Sequence, residues 1–158
     1  MRLFGADTNA QKIERLKSLP IFHELTRKEI LEMDELLHER VFENGEVVFA
    51  EGDLGHGIFI IVSGKLRISS CHEILKAANV DIGAGEMIGE LCLFDEAPHA
   101  ATVKAVERTV VVALFQAELS ALLVKNKSIG VKVLFEIART LSRRTRQLLL
   151  FEKHVPSV

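Results

Sequence analysis

Short apolar runs separated by glycine-containing turns constrain the fold of this chain more than any other feature. The runs lie at residues 47–49, 58–62, 66–68, 101–105 and 109–115. Turn sequences separate them, among them Asn44-Gly45, Glu51-Gly52-Asp53, Ser63-Gly64 and Gly83-Ala84-Gly85. Strands this short and this closely spaced usually pair with their neighbours in antiparallel fashion, as in a barrel or a jelly roll. We therefore predict an antiparallel β-roll over residues 41–115.

Helical patterns occupy the residues before this β region. One helix is predicted over residues 9–19, because Pro20 ends the pattern, and a second begins at Thr26. The sequence from Thr26 to Glu29 is a capping box, in which each side chain accepts a hydrogen bond from the backbone of the other residue. Residues 1–40 are therefore predicted to form N-terminal helices.

The chain returns to helical periodicity after the β region. A short helix is predicted over residues 116–124 and a long one over residues 128–153, which makes residues 116–154 the C-terminal helices. A chain of 158 residues suffices for one well-buried domain. The expected fold is α+β and mainly β: a single domain, residues 1–158, in which a β-roll or jelly roll is flanked by N-terminal helices and a long C-terminal helix.

The segment GELCLFDEAPHAAT, residues 89–102, has the chemistry of a site for an anion and a sugar. Gly89 lets the backbone approach a ligand closely, because it has no Cβ. Glu90 offers a carboxylate that can accept a hydrogen bond from a hydroxyl group. Unpaired N–H groups at the start of a short helix, together with the positive end of its dipole, suit a phosphate.

This segment resembles the phosphate-binding cassette of cyclic-nucleotide-binding domains, which reads G-E-L-A-L, four variable residues, then P-R-A-A-T. The match is residue for residue at Gly89, Glu90, Leu91, Leu93 and Pro98, and the order of helices, roll and helices extends the resemblance over nearly the whole chain. The resemblance implies a regulatory sensor domain whose ligand is cyclic AMP or another phosphorylated small molecule. It implies ligand contacts from Gly89, Glu90, Leu91, Cys92, His99, Ala100 and Ala101, and no further cofactor.

Two substitutions within the cassette bear on the ligand. A small apolar residue at Ala100, in place of a hydroxyl, resembles the adenosine type of site, so cyclic GMP is the less favoured ligand. His99 stands where the family has arginine, whose fork would bind phosphate oxygens bidentately. An unperturbed imidazole, with a pKa of about 6.5, is mostly neutral near pH 7. We expect weak binding; the alternative is a degenerate module that serves dimerisation or protein interaction without binding a nucleotide.

The long helix carries an apolar heptad seam. Its members are Leu134, Ile137, Leu141, Leu148 and Phe151, with Arg144 at the one polar position. We expect a homodimer through this helix. Arg144 should weaken the middle of the interface unless it pairs with Glu136 or Glu152 across the interface or along the helix. The alternative is a monomer whose first helix, residues 9–19, covers the seam.

The sequence disfavours several other classes of function. The 6 histidines include no pair two residues apart beside a carboxylate, and no nucleophile arrangement is visible, so we expect no enzyme of the cupin or hydrolase kind. Cys71 and Cys92 lack the spacing of metal ligands and are expected to be buried thiols in a reducing cytosol.

Charge and hydropathy set further expectations. The net charge of -2 divides into -7 before Gln116 and +5 from Gln116 onward, which argues against a surface that coats nucleic acid. Only seven residues follow Phe151, too few for a helix-turn-helix, so we expect no direct DNA binding and an output through an unknown protein partner. No signal peptide is visible and the apolar runs are too short to span a bilayer, so a cytoplasmic protein without membrane contact is expected.

Overall fold

A computed structural model describes residues 8–70 and 79–152 of the chain. Helices α1 (Asn9–Lys17) and α2 (Arg27–Asp34) come first, with a 3₁₀ turn (Pro20–Phe22) between them. Eight strands follow: β1 (His38–Phe42), β2 (Val47–Phe49), β3 (Gly57–Ser63), β4 (Lys65–Ser69), β5 (Val80–Gly83), β6 (Met87–Ile88), β7 (Thr102–Ala105) and β8 (Thr109–Phe115). The short α3 (Cys92–Asp95) lies between β6 and β7, and α4 (Gln116–Lys125) and α5 (Lys127–Glu152) follow β8.

The strands form two antiparallel four-stranded sheets, with the orders β1-β8-β3-β6 and β2-β7-β4-β5. This confirms the predicted α+β fold with a β-roll between N-terminal and C-terminal helices. Two details of the prediction were wrong. Strand β1 begins at His38, inside the region predicted to be helical, and β5 and β6 were missed. Charged residues in the edge strand β1 and the shortness of β5 and β6 hide the usual alternation of apolar and polar residues.

Strands β3 and β8 are buried on both faces. One face carries Ile58, Ile60 and Leu114, which pack in one apolar cluster with residues of the helices. The other face carries Ile61 and Val111, which pack in a second cluster with residues of the opposite sheet. A strand that is covered on both sides needs a continuous apolar sequence, which accounts for the runs at residues 58–62 and 109–115.

Both predicted N-terminal helices are present; α1 ends at Lys17 rather than at Leu19, and α2 begins at the predicted capping box of Thr26. In the capping box of α2 the Glu29 amide donates to the Thr26 hydroxyl (3.3 Å) and the Thr26 amide donates to the Glu29 carboxylate (2.8 Å). Helix α1 has a similar box at Thr8 and Gln11. Each cap satisfies amides that a helix start leaves unpaired.

Helix α5 packs against α4 and the 3₁₀ turn with the first two-thirds of its length. Ile137 is buried, and Leu134 and Leu141 are partly buried against the domain's own core, whereas Leu148 is 60% exposed. The two halves of the predicted seam therefore differ. The first half packs in the core of the domain, whereas Leu148 in the second half is exposed to solvent. The side chain of Phe151 lies outside the described residues. In the described part of the chain, no helix is long and apolar enough to cross a bilayer.

Candidate functional site

The cassette begins with a turn that only glycine fits. Gly89 has a φ of +85°, and a Cβ at this position would lie 2.6 Å from the carbonyl oxygen of Gly57. The amides of Cys92 and Leu93 bond back to the carbonyls of Gly89 (3.2 Å) and Glu90 (3.3 Å) to start α3. The amides of Glu90 and Leu91 lie two residues and one residue before the first of these donors, where the start of a helix leaves amides without a helical partner.

The second half of the cassette is held by the loop between β2 and β3. Leu54 pairs with Pro98, the His99 amide donates to the Asp53 carbonyl (2.8 Å), and the Gly52 amide donates to the His99 carbonyl (2.9 Å). These backbone bonds fix the main chain at His99. A change in what the imidazole contacts would therefore require rotation of the side chain.

The imidazole of His99 is packed inside the domain. It is 6% exposed and stacks on Phe49, with 3.7 Å between ring centroids and 10° between planes. Its Nδ1 lies 3.3 Å from the Cys92 sulfur, and a Cβ on Gly55 would come within 2.5 Å of the ring. Burial lowers the pKa of His99, and the charge of Asp53 opposes this only in part. An anion can reach a charged imidazole here only if the ring leaves this position.

Cys92 is the first residue of α3, and its side chain is buried. Burial, helped by the negative charges of Asp95 and Glu90, raises the pKa of its thiol, so the thiol is protonated near pH 7. Together with His99 it forms a neutral contact in the interior. Cys71 lies outside the described residues.

The carboxylate of Glu90 is joined to α5. Glu90 is 4% exposed, and its Oε1 accepts a hydrogen bond from Nη1 of Arg144, 54 residues further along the chain. Nη2 of the same guanidinium donates to the Met87 carbonyl oxygen. A carboxylate this deeply buried needs such a cation. The pair connects the cassette with the long helix.

Within the described structure, Arg144 does not pair with Glu136 along the helix. Glu136 is bonded instead to Arg139 on the next turn of the helix, and the side chain of Glu152 lies outside the described part of the chain. The sequence did mark Arg144 as unusual, because it is the single polar residue in an otherwise apolar seam. The seam alone could not identify a partner on another element.

The other predicted site residues lie at the surface or near it. Leu91 is 59% exposed, Ala100 is exposed and Ala101 is half-buried. The structure thus brings Cys92 and His99 together, directs Glu90 to α5, and leaves Leu91 and Ala100 towards solvent.

A cleft of about 360 Å³ lies next to the Glu90–Arg144 pair. It is bounded by the 3₁₀ turn, by the turn between β5 and β6, and by α5, with Met87 and Arg144 among its lining residues. Arg144 therefore contacts both the cassette carboxylate and an open volume large enough for part of a small molecule.

Comparison with known proteins identifies the family of this chain. Residues 39–126 match the profile of a family described as the cyclic nucleotide-binding domain. The chain is 31% identical to the cyclic AMP receptor protein of Thermus thermophilus over 133 residues, which cover 84% of this chain and 60% of that protein. It is 35% identical to a putative potassium channel protein of Rhodopseudomonas palustris over 115 residues, 73% of this chain and 28% of that protein.

Solved structures show the same similarity. A cyclic nucleotide-binding domain from Methylobacillus flagellatus superposes with a TM-score of 0.80 at 21% identity, covering 94% of this chain and 87% of that one. The Thermus thermophilus catabolite activator protein superposes with a TM-score of 0.71 at 30% identity, covering 85% of this chain and 62% of that one. The chain thus spans less than two-thirds of the length of the two curated relatives named above.

Proposed function

This chain belongs to the cyclic nucleotide-binding domain family, and on that premise we propose that it is a regulatory domain that binds cyclic AMP through residues 89–102 and transmits binding to α5. The hydrogen bond from Arg144 to Glu90 is the observation that carries the proposal. It joins the carboxylate expected to hold the ribose to the long C-terminal helix, so that a ligand on one changes the environment of the other.

Glu90 has the capacity to bind a ribose hydroxyl beside Arg144. A carboxylate offers about four acceptor positions, and Arg144 uses Oε1. A ribose 2′-hydroxyl that donates to the Glu90 carboxylate competes with Arg144 for the carboxylate's negative charge. This competition weakens the hydrogen bond between Arg144 and Glu90. The cleft beside Arg144 gives the guanidinium space to move. Binding at the cassette then alters how firmly the middle of α5 is attached to the roll.

The phosphate has weaker partners in this chain. The amides of Glu90 and Leu91 and the backbone of Ala100 and Ala101 supply neutral donors. The charge-assisted bidentate contact of an arginine is absent from the cassette sequence and is worth about 1.5–3 kcal/mol, which is roughly ten- to more than a hundredfold in affinity. His99 replaces it only after leaving its stack on Phe49. We therefore propose weak binding of cyclic AMP, and weaker binding of cyclic GMP.

A module that binds no nucleotide is the second candidate. The packed position of His99 between Phe49 and Cys92 favours it, because the residue that replaces the arginine takes part in the core. In this case the exposed apolar side chains of α5, such as Phe135 (61% exposed) and Leu148, pair with a second copy or with another protein. The positive charge of the chain after Gln116 then suits an acidic partner.

Calorimetric titration with cyclic AMP and cyclic GMP tests the proposal. The variants are His99→Arg and, as a matched control, His56→Arg, which adds the same charge at an exposed position whose charge also acts on His99. We expect His99→Arg to bind cyclic AMP roughly ten- to a hundredfold more tightly than the parent, because it restores the bidentate contact. His56→Arg should change affinity by less than about threefold, since general electrostatics at the surface are weak.

Two results would contradict the proposal. Submicromolar affinity of the parent for cyclic AMP at pH 8 would show that His99 does not weaken the site. Absence of binding by both the parent and His99→Arg would favour the interaction module.

A further inference from the structure

A cluster of metal-ligating side chains lies away from the cassette, where the segment after the 3₁₀ turn meets α5. His23, Glu24 and Glu136 each direct one donor atom to it, and these atoms lie within 4.8 Å of one another. Two of the residues come from the N-terminal segment and one from the long helix. The cluster therefore bridges two elements that are distant in sequence.

The imidazole of His23 is oriented as in metal sites. Its Nδ1 lies 2.5 Å from the Pro20 carbonyl oxygen, which can only accept, so Nδ1 carries a proton. In the neutral ring Nε2 then presents a lone pair, and it lies 3.8 Å from Oε1 of Glu24. Two ligands bonded at about 2.0–2.2 Å to one tetrahedral ion lie about 3.3–3.6 Å apart, so these two atoms need to move slightly closer to share an ion. A histidine whose second nitrogen donates to a backbone carbonyl is the usual arrangement around a metal ion.

The carboxylates of the cluster already hold a positive charge. Glu136 is 6% exposed, and its carboxylate accepts a hydrogen bond from Arg139. The same guanidinium nitrogen lies 3.4 Å from Oε1 of Glu24. Arg139 is itself 53% exposed, so its guanidinium remains hydrated when it moves away, but the buried Glu136 then needs another cation in its place. A cation that binds both carboxylates and the imidazole more strongly than Arg139 can take its place.

We propose that His23, Glu24 and Glu136 bind a divalent transition-metal ion, with zinc as the ion that suits one imidazole and two carboxylates, and that the ion displaces Arg139. Three protein ligands leave one position of a tetrahedral ion open to water. The bound ion ties the N-terminal segment to α5, upstream of Arg144. This site uses no cassette residue and is independent of the proposed nucleotide binding.

Zinc titration of the untagged, intact protein, followed by competition with a chromophoric chelator, tests the site. His23→Gln removes an exposed ligand and should weaken zinc binding at least tenfold without unfolding the protein, which circular dichroism checks. His38→Gln is the control. His38 is also an exposed histidine beside a glutamate, Glu118, at 3.2 Å, but within residues 8–70 and 79–152 no third donor joins these two in a metal-binding group. It should leave zinc affinity unchanged.

Arg139→Gln distinguishes this site from adventitious binding. Removal of the competing guanidinium should tighten zinc binding several-fold, the opposite sign to His23→Gln. Because variants are compared with the parent, ions held elsewhere on the chain contribute equally to each measurement. A parent that binds no zinc at millimolar concentration, or a His23→Gln variant that binds as tightly as the parent, overturns the site. Weaker binding by Arg139→Gln overturns the displacement of the guanidinium.

Discussion

Replacement of Arg144 by glutamine should destabilise the domain, because it leaves the Glu90 carboxylate buried without its cation. The side chain of Glu90 is 6% exposed and that of Arg144 is 32% exposed. Removal of one member of a fully buried ion pair costs about 3–5 kcal/mol. Water near the partly exposed guanidinium screens part of this interaction, so we expect a loss of about 1–3 kcal/mol in the free energy of unfolding.

Calorimetry and urea unfolding measure this loss. For a domain of this size, 1 kcal/mol corresponds to about 2–4 °C in the melting temperature, so Arg144→Gln should melt roughly 2–12 °C below the parent. Arg143→Gln is the matched control. The adjacent Arg143 is exposed and, within the described part of the chain, bonds only to Thr140 on its own helix. Its replacement should therefore cost no more than about 0.5 kcal/mol.

A double-mutant cycle with Glu90→Gln shows whether the two side chains act on each other. In the double variant the buried group is a neutral amide, so the cost of an unpaired charge is removed and the double variant should be more stable than the sum of the single losses predicts. We expect an interaction energy of about 1–2 kcal/mol. Losses that add to within about 0.5 kcal/mol would refute the coupling of the cassette to α5.

Three further outcomes are expected. Because burial lowers the pKa of His99, the unfolded chain binds more protons than the folded one, and the free energy of unfolding should decline as pH falls below about 6.5. His99→Gln should flatten this decline in urea unfolding between pH 5.5 and 8, and an unchanged slope would be contrary evidence. Gly89→Ala should lower the free energy of unfolding by about 2 kcal/mol or more, because of its positive φ and a steric clash at Cβ. Gly83→Ala, with no atom within 4 Å of its Cβ, should lower it much less. Equal losses in the two variants would exclude a special role for the Gly89 turn. In sedimentation, Phe135→Asp should abolish self-association, whereas Leu31→Asp, at another exposed apolar position, on α2, should not. A parent that remains monomeric at high micromolar concentration would rule out the dimer.

Local features of this protein were predictable from its sequence because they depend on neighbouring residues. The capping box at Thr26, the turn at Asn44-Gly45 and the long apolar strand β8 each follow from residues within a few positions of one another. Strand β1 was not predictable in this way. Its polar residues His38 and Arg40 are exposed at a sheet edge, and its pairing with β8 depends on contacts with residues about 70 positions away.

Side-chain partners were the least predictable part of the site. The sequence identified Glu90 and His99 as cassette residues, but the contact of Glu90 with Arg144 and the stack of His99 on Phe49 depend on how distant elements pack. The heptad pattern of α5 likewise could not distinguish a face that packs on its own domain from one that meets a partner. Leu141 lies on the first kind of face, so the exposed Phe135 is the better position to test for dimerisation.

The most direct test of the proposed nucleotide site pairs Glu90 with the ribose hydroxyl. Calorimetric affinities of the parent and Glu90→Gln for cyclic AMP and 2′-deoxy cyclic AMP complete a cycle in which protein and ligand each lose one partner of the same hydrogen bond. We predict that the parent prefers cyclic AMP by about 1–3 kcal/mol, roughly five- to more than a hundredfold, and that Glu90→Gln loses most of this preference. Equal binding of the two ligands by the parent, or a preference that survives in Glu90→Gln, would contradict ribose binding at the cassette.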